Sequence, residues 1–301
     1  MSDYLLTEAS IAWQGTTAYS LDFGDIYWSR EAAVSEKTHV FTDPIQFSWE
    51  QLKPDNLFTI GEIGFGFGLN FMLTAEKWKK RGFKGFLNYI AYDNQPVSTS
   101  DIARLGKFIP KLPVNQLLKH YPLPFHGSHI IWFASNIKLI LIFDDALNAL
   151  KDTCAKVDAW YLDGFSPRKN NSIWSKPIFS QIARLSKPGA TLSTFSISGK
   201  VRRDLTNSGF IVTSRAGYGK KRKMLFAQAR GKWLPTKRLS PKVAIVGSGL
   251  AGTYLYEALQ RRSISTVIFD DGQATSLKVP QLAVYPTLAL NNERRYRFSI
   301  S

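Results

Sequence analysis

One segment constrains the fold more than any other: Phe58-Thr-Ile-Gly-Glu-Ile-Gly-Phe-Gly-Phe-Gly-Leu-Asn70. An apolar, β-branched run leads into an acidic residue and three alternating glycines. A helical pattern follows from Leu69 to about Lys80. This reads as a strand, a tight turn and a helix N-terminus. Glycines there permit positive φ and let a ligand approach the backbone. The free N–H groups of the helix start face that ligand. The spacing Gly64-x-Gly66-x-Gly68 does not match the dinucleotide fingerprint G-x-G-x-x-G. By itself the run is also compatible with an ordinary glycine-rich turn of an α/β domain.

The rest of the chain repeats the theme. Strands are expected at Leu57–Glu62, Leu87–Tyr92, Ala159–Asp163, Ala190–Phe195, Phe210–Ser214 and Met224–Ala229, with a hairpin over His129–Phe143. Helical or loop-rich stretches lie between them. The alternation predicts an α/β fold with a mostly parallel sheet and helices on both faces. The last two strands, joined through Ala216–Lys223, form an antiparallel hairpin. The first fifty residues show no strong period and read as short strands and turns covering the main domain. Residues 229–241 are basic and proline-containing, and read as a linker. Beyond it, Val243-Ala-Ile-Val-Gly-Ser-Gly-Leu-Ala-Gly252 has the G-x-G-x-x-G spacing between a strand and a helix, with Asp270 ending the next strand. That is the opening βαβ unit of a flavin- or nicotinamide-binding domain. The expected domains are thus 1–228, a linker at 229–241, and an incomplete second unit at 242–301.

Charge narrows the function. Lys and Arg number 39 against 23 Asp and Glu, a formal charge of +16. Such an excess attracts polyanions, and RNA is the partner expected. Basic runs occur at Arg184–Lys187, Lys200–Arg203 and Lys220–Lys223, with Trp174, Tyr218 and Trp233 among them, as suits phosphate contacts combined with base stacking. A single cysteine and four scattered histidines give no disulfide framework and no metal-ligand spacing, so no metal is expected. No signal peptide or membrane span is read, and cytoplasmic localisation is the default.

Four carboxylates fall at strand C-terminal ends: Glu62, Asp93, Asp145 and Asp163. Ligands of open parallel sheets bind outside those ends. Asp93 is placed for ribose hydroxyls and Asp145 for an adenine amino group. Either could instead cap the following helix. Asp163 opens the sharp turn Asp163-Gly-Phe-Ser-Pro167. A carboxylate there could orient an amine and assist its deprotonation, and Phe165 could stack on a base. The Asp-Gly pair also serves as a plain turn.

The glycine loop with its preceding acid resembles that of S-adenosylmethionine methyltransferases of class I, which are Rossmann-like and seven-stranded. The turn at Asp163 resembles the acid/amide-Pro-Pro-aromatic turn of amino-group methyltransferases. More specifically, Leu5–Glu8, Tyr19–Tyr27, Gly61–Phe71, Asp158–Asn170, Leu185–Phe195, Val201–Arg203 and Gly217–Leu225 together resemble the MnmC family of bifunctional tRNA 5-methylaminomethyl-2-thiouridine biosynthesis proteins. The resemblance implies methylation of 5-aminomethyl-(2-thio)uridine at the tRNA wobble position, with S-adenosylmethionine as donor. It implies donor binding by Glu62, Gly64, Gly66, Gly68, Asn70, Asp93 and Asp145, with Asp163 facing the amine. Phe165, Pro167, Lys200, Arg202, Arg203, Lys220, Lys221 and Arg222 would meet the tRNA. It also implies an FAD-dependent oxidoreductase domain, begun here by Gly247, Gly249, Gly252 and Asp270. The sequence departs from that domain at Gly272–Gln281, which lacks the expected Ser-Gly-Asn run, and too little chain follows to complete it. The expectation is therefore a truncated FAD region with little or no flavin, and possibly a separate chain supplying the rest. The alternatives are a part of an FAD-dependent oxidoreductase acting on 5-carboxymethylaminomethyl-uridine in tRNA, and an inactive RNA-binding remnant.

Overall fold

A computed structural model describes residues 5–28, 33–82, 85–219, 223–239, 241–262 and 264–272. The chain opens with a small antiparallel sheet of β1 (Ile11–Gln14), β2 (Thr17–Ser20) and β3 (Asp25–Ile26). Helix α1 (Ala33–Lys37) runs into a π-helical turn at Thr38–Thr42, and α2 (Gln46–Glu50) follows. The alternating region then begins. It comprises β4 (Asn56–Ile63), α3 (Leu69–Lys80), β5 (Phe86–Asp93), α4 (Thr99–Phe108), α5 (Val114–Leu118), β6 (Gly127–Ala134) and β7 (Ile137–Phe143). Next come α6 (Ala146–Asp152), β8 (Val157–Leu162), α7 (Lys176–Leu185), β9 (Ser186–Thr194), α8 (Gly199–Asn207), β10 (Phe210–Ala216) and β11 (Lys223–Ala229).

These strands form one sheet in the order β10-β11-β9-β8-β4-β5-β7-β6. The contacts among β9, β8, β4, β5 and β7 are parallel. The late hairpin β10–β11 and the edge strand β6 pair antiparallel. The seven strands of the expected fold are all present, and β6 extends the sheet beyond β7. Sequence order reverses at β4, which has β5 on one side and β8 on the other. A crevice opens at the C-terminal ends of strands at such a reversal, and it is where open α/β sheets take ligands.

Alternation along each strand builds a core on both faces. Phe58 and Ile60 of β4 and Ala159 and Tyr161 of β8 join Phe71, Met72 and Trp78 of α3. Ile63, Trp160 and Leu162 face the other way, onto Leu150, Ile178, Phe179, Ile182 and Leu205 of α6, α7 and α8.

Two features differ from the sequence-based picture. The first fifty residues hold short helices as well as strands. The segment 229–241, expected as a basic linker, packs on the domain. There β12 (Thr236–Lys237) pairs antiparallel with the start of β4, and Trp233 is buried. The indole N–H of Trp233 donates to Asp158 Oδ1 at 2.9 Å. Past it, β13 (Val243–Val246), α9 (Leu250–Gln260) and β14 (Thr266–Phe269) form the second βαβ unit, with β13 and β14 parallel.

Candidate active site

A cavity of about 370 Å³ lies at the reversal point. Its floor is the glycine turn between β4 and α3. Gly64, Gly66 and Gly68 all hold positive φ, at 89°, 51° and 71°. A Cβ on Gly64 would stand 2.9 Å from the Asp163 carbonyl oxygen, and one on Gly66 would stand 3.3 Å from the Tyr27 ring. The turn therefore tolerates no side chain, both because of its backbone and because the opposite wall is close. Asp93, at the end of β5, braces it: one carboxylate oxygen accepts the Gly66 N–H at 2.8 Å and the other accepts the Gln95 N–H at 2.9 Å. Burial pushes this carboxyl up from its ordinary range, while those backbone N–H groups oppose the shift.

Behind the glycine turn lies a connected polar network. Glu62 is buried at the end of β4. It accepts from Asn70 Nδ2 at 2.7 Å and from the Tyr89 hydroxyl at 2.8 Å. The same Asn70 nitrogen donates to Asp163 Oδ2 at 2.6 Å, so one amide ties the two carboxylates together. Lys37 Nζ completes the set, 2.7 Å from Asp163 Oδ1 and also donating to Oδ2. Burial raises the Glu62 carboxyl well above its ordinary value, and the Asp163 charge adds to this. Burial likewise raises Asp163, against the pull of Lys37 and Asn70. Asn70 Oδ1 is buried with no hydrogen-bond partner among the described residues. A buried acceptor of this kind is costly unless a donor completes it.

The remaining wall is aromatic. Phe165 stacks on Phe23, with centroids 4.8 Å apart and planes at 29°, and meets the Tyr27 ring edge-on at 5.0 Å. Asp25 Oδ2 accepts the Ser166 N–H at 3.0 Å, tying the N-terminal sheet to the turn after β8. Five carboxylates line the cavity, from Asp25, Glu36, Asp93, Asp145 and Asp163, against one ammonium, from Lys37. In a chain of +16 this wall concentrates acidic side chains.

The sequence-derived residues fall into place unevenly. Gly64, Gly66, Asn70, Asp93, Asp145, Asp163 and Phe165 line the cavity. Glu62 is buried next to it and is joined to it by the Asn70 amide. Gly68 serves as the N-cap residue of α3. Asp145 is exposed and caps α6, with Oδ1 accepting from Leu147 and Asn148. Pro167 sits on the partly exposed turn beyond Phe165. Arg202 and Arg203 are exposed on α8, while Lys200 pairs with Asp204 at 3.0 Å. Lys220, Lys221 and Arg222, and the tail from residue 273, lie outside the described residues. One expectation is overturned: Trp174 and Trp233 are buried and cannot stack on RNA bases. The Trp174 indole donates to the Phe165 carbonyl at 2.8 Å and so supports the site from beneath. Sequence reasoning missed Lys37, Tyr27 and Tyr89. Lys37 sits in a short stretch with no apolar period, and nothing local marks it as buried.

Among the described residues no cluster of His, Cys, Asp or Glu is suited to a metal, and no helix is long and apolar enough to cross a membrane. In the second βαβ unit Asp270 Oδ2 accepts the Ser248 N–H at 2.6 Å. A Cβ on Gly252 would stand 2.0 Å from the Gly247 carbonyl oxygen, so glycine is required there. The described part of this unit supplies a glycine turn and a carboxylate that accepts from it.

The sheet order, the crevice at its reversal and the glycine cradle define a class I S-adenosyl-L-methionine-dependent methyltransferase fold. A family model described as S-adenosyl-L-methionine-dependent methyltransferase matches residues 111–230. The crystal structure of MnmC2 from Aquifex aeolicus superimposes with a TM-score of 0.58 at 23% identity, covering 76% of this chain and 73% of that one. The tRNA 5-methylaminomethyl-2-thiouridine biosynthesis bifunctional protein MnmC of Legionella pneumophila (strain Lens) is 35% identical over 92% of this chain and 48% of its own length. The protein of the same name from Marinomonas sp. is 33% identical over 100% of this chain and 48% of its own. The chain is thus a homologue of the MnmC proteins, and it spans about half the length of these curated relatives.

Proposed function

We propose that the chain methylates the exocyclic amine of 5-aminomethyl-(2-thio)uridine at the wobble position of tRNA, using S-adenosyl-L-methionine. The observation that carries this reading is the Asp163 carboxylate. It is held by Lys37 and Asn70 at the reversal point, directly across from the Gly64–Gly68 cradle. The cradle, the unpartnered Asn70 Oδ1 and the carboxylate-rich wall fit a ligand that bears an amino group and a sulfonium. When bound, that donor supplies an electrophilic methyl group. Gly64, Gly66, Asn70, Asp93 and Asp145 would hold it.

The chain's own residues do the rest by positioning. Asp163 accepts an N–H from the substrate amine and fixes the direction of its lone pair. Phe165, backed by Phe23 and Tyr27, offers an apolar aromatic face to the uracil ring. Exposed Arg202 and Arg203, with Lys220, Lys221 and Arg222, supply phosphate contacts. A cytoplasmic location goes with this reading. The relatives are named as bifunctional proteins, and the methyl transfer itself involves no flavin.

The test is calorimetry with S-adenosyl-L-methionine, followed by single-turnover methylation of tRNA bearing 5-aminomethyl-uridine. Donor binding and transfer to that amine are expected. Donor binding without transfer to any tRNA amine would defeat the substrate assignment. The second reading, a remnant that only binds RNA, predicts neither donor binding nor transfer.

A further inference from the structure

Methylation of an amine, as proposed above, needs a free lone pair on nitrogen. A free primary alkylamine is mostly protonated near neutral pH. A lone carboxylate makes matters worse, because an opposite charge stabilises the ammonium form. Asp163 alone would hold the substrate in its unreactive state.

Asp163 is not alone. Lys37 Nζ contacts both of its carboxylate oxygens, and the two side chains are 11% and 9% exposed. Among the described residues, the charged and titratable groups around Lys37 are few. Asp163 faces it from the turn after β8. Glu36 neighbours it on α1. Glu62 lies beyond Asn70 on β4, where Tyr89 of β5 hydrogen-bonds it. The Phe41 ring lies 5.6 Å from the ammonium. Nothing in its sequence context predicts a buried lysine here.

We propose that Lys37 keeps the incoming substrate amine neutral, its positive charge on Asp163 cancelling the carboxylate's hold on a proton. The substrate ammonium gives one proton to water as it enters. The resulting amine donates one N–H to Asp163, and its lone pair stays free for the methyl group. A neighbouring cation is an established way to lower an amine's basicity in a site. Lys37 does this through Asp163 and is therefore a positioning residue.

Proton counting tests the proposal without turnover. Binding of tRNA bearing 5-aminomethyl-uridine is measured calorimetrically in two buffers of different ionisation enthalpy, with S-adenosylhomocysteine present. Unmodified tRNA is the control. At pH 7 the wild type is expected to release about one proton more with the amine-bearing tRNA than with the control. Lys37→Met and Lys37→Gln should lose most of that release, and Lys37→Arg should keep it. In single-turnover methylation the rise of rate with pH should move upward by about one unit or more in the two neutral variants. Their rate at pH 7 should fall about tenfold and recover at higher pH. Equal proton release in wild type and neutral variants would overturn the proposal. So would a rate loss that alkaline pH does not restore, since a purely structural brace gives that result. Wild-type protein that transfers no methyl to the amine would overturn the site reading itself and this proposal with it, before any Lys37 variant is made.

Discussion

The turns Gly64-Phe-Gly-Phe-Gly68 and Gly247-Ser-Gly-Leu-Ala-Gly252 both follow a parallel strand and open a helix. Each carries a positive-φ glycine at its first position, 89° at Gly64 and 93° at Gly247. In each, a strand-end aspartate accepts a turn N–H, Asp93 from Gly66 and Asp270 from Ser248. Their surroundings differ. Helix α3 buries Phe71, Met72, Ala75 and Trp78 against the sheet, whereas α9 buries no residue. Burying a large apolar side chain contributes about 1.5–3 kcal/mol, so only the first turn is held by a core. Val246, Tyr254 and Phe269 stay exposed in the second unit, at 88%, 66% and 57%. A glycine motif sets the local backbone. The elements packed around it decide whether that backbone becomes the floor of a cavity.

The sharpest way to break this contrast is at the carboxylate opposite the first turn. Asp163→Asn turns an N–H toward a place where Lys37, Asn70 or the substrate amine needs an acceptor, so the amine is no longer aimed. Donor binding should survive, and single-turnover methylation should fall by about a hundredfold or more. A near-normal rate would reduce Asp163 to a turn residue and leave the two glycine turns functionally alike.

The glycines themselves give the next largest effect. Gly66→Val places a branched side chain at φ 51° and 3.3 Å from Tyr27. Its affinity for S-adenosyl-L-methionine, read by calorimetry, should drop by at least about tenfold, the cost of a strained position plus a blocked cradle. Gly249→Val has negative φ and open space around its Cβ, so it should bind the donor like the wild type. Equal losses in both variants would show that the second turn contributes to the site.

Binding of tRNA extends the comparison to the surface. Neutralising Arg202 and Arg203 on α8 should flatten the slope of log affinity against log salt by about one to two. Neutralising Arg261 and Arg262 after α9 should leave the slope unchanged. The opposite pattern would move the RNA-binding face to the second unit.

The smallest effect concerns acid–base linkage, which has opposite signs in the two regions. Burial raises the Glu62 and Asp163 carboxyls. Their contribution to stability is thus fully present below the ordinary carboxylate range and is lost as pH rises through the raised values. Hydrogen bonds from Ser248 and Gly272 lower Asp270. Its contribution is present above the ordinary range and is lost as pH falls through the lowered value. Glu62→Gln should therefore narrow the difference in unfolding midpoint between pH 5.5 and 8.5. An unchanged difference would mean that Glu62 is not among the groups taking up a proton on folding.

Much of the fold was legible because it is written locally. Leu69–Lys80 has a glycine stop on one side and a basic end on the other, and the helix has those bounds. Apolar runs marked the strands of the main sheet other than the two-residue β12, and their C-terminal ends located the carboxylates. The site was less legible because its chemistry is non-local. Lys37 and Asp163 are 126 residues apart, and Asn70 and Asp163 are 93 apart. No spacing rule reaches that far. Trp174 and Trp233 misled for the same reason: neighbouring lysines and arginines suggested a surface, while the indoles point into buried pockets beside Phe165 and Asp158.

The packing of Trp233 bears on where the first unit physically ends. Lys187 Nζ bonds Asp158 Oδ1, the Leu234 carbonyl and the Thr236 hydroxyl, at 2.6, 2.7 and 2.7 Å. The Arg238 N–H reaches the Asp55 carbonyl at 2.8 Å. Residues 233–238 therefore act as a clasp, with one indole as its pin and a buried aspartate as its eye. A polypeptide cut at residue 228 would keep every strand of the main sheet except the two-residue β12. It would also leave an indole-shaped hole beneath Phe58, and a carboxylate stripped of one of its donors. The packing of the first unit continues through Arg238, inside the stretch whose composition alone reads as a tether.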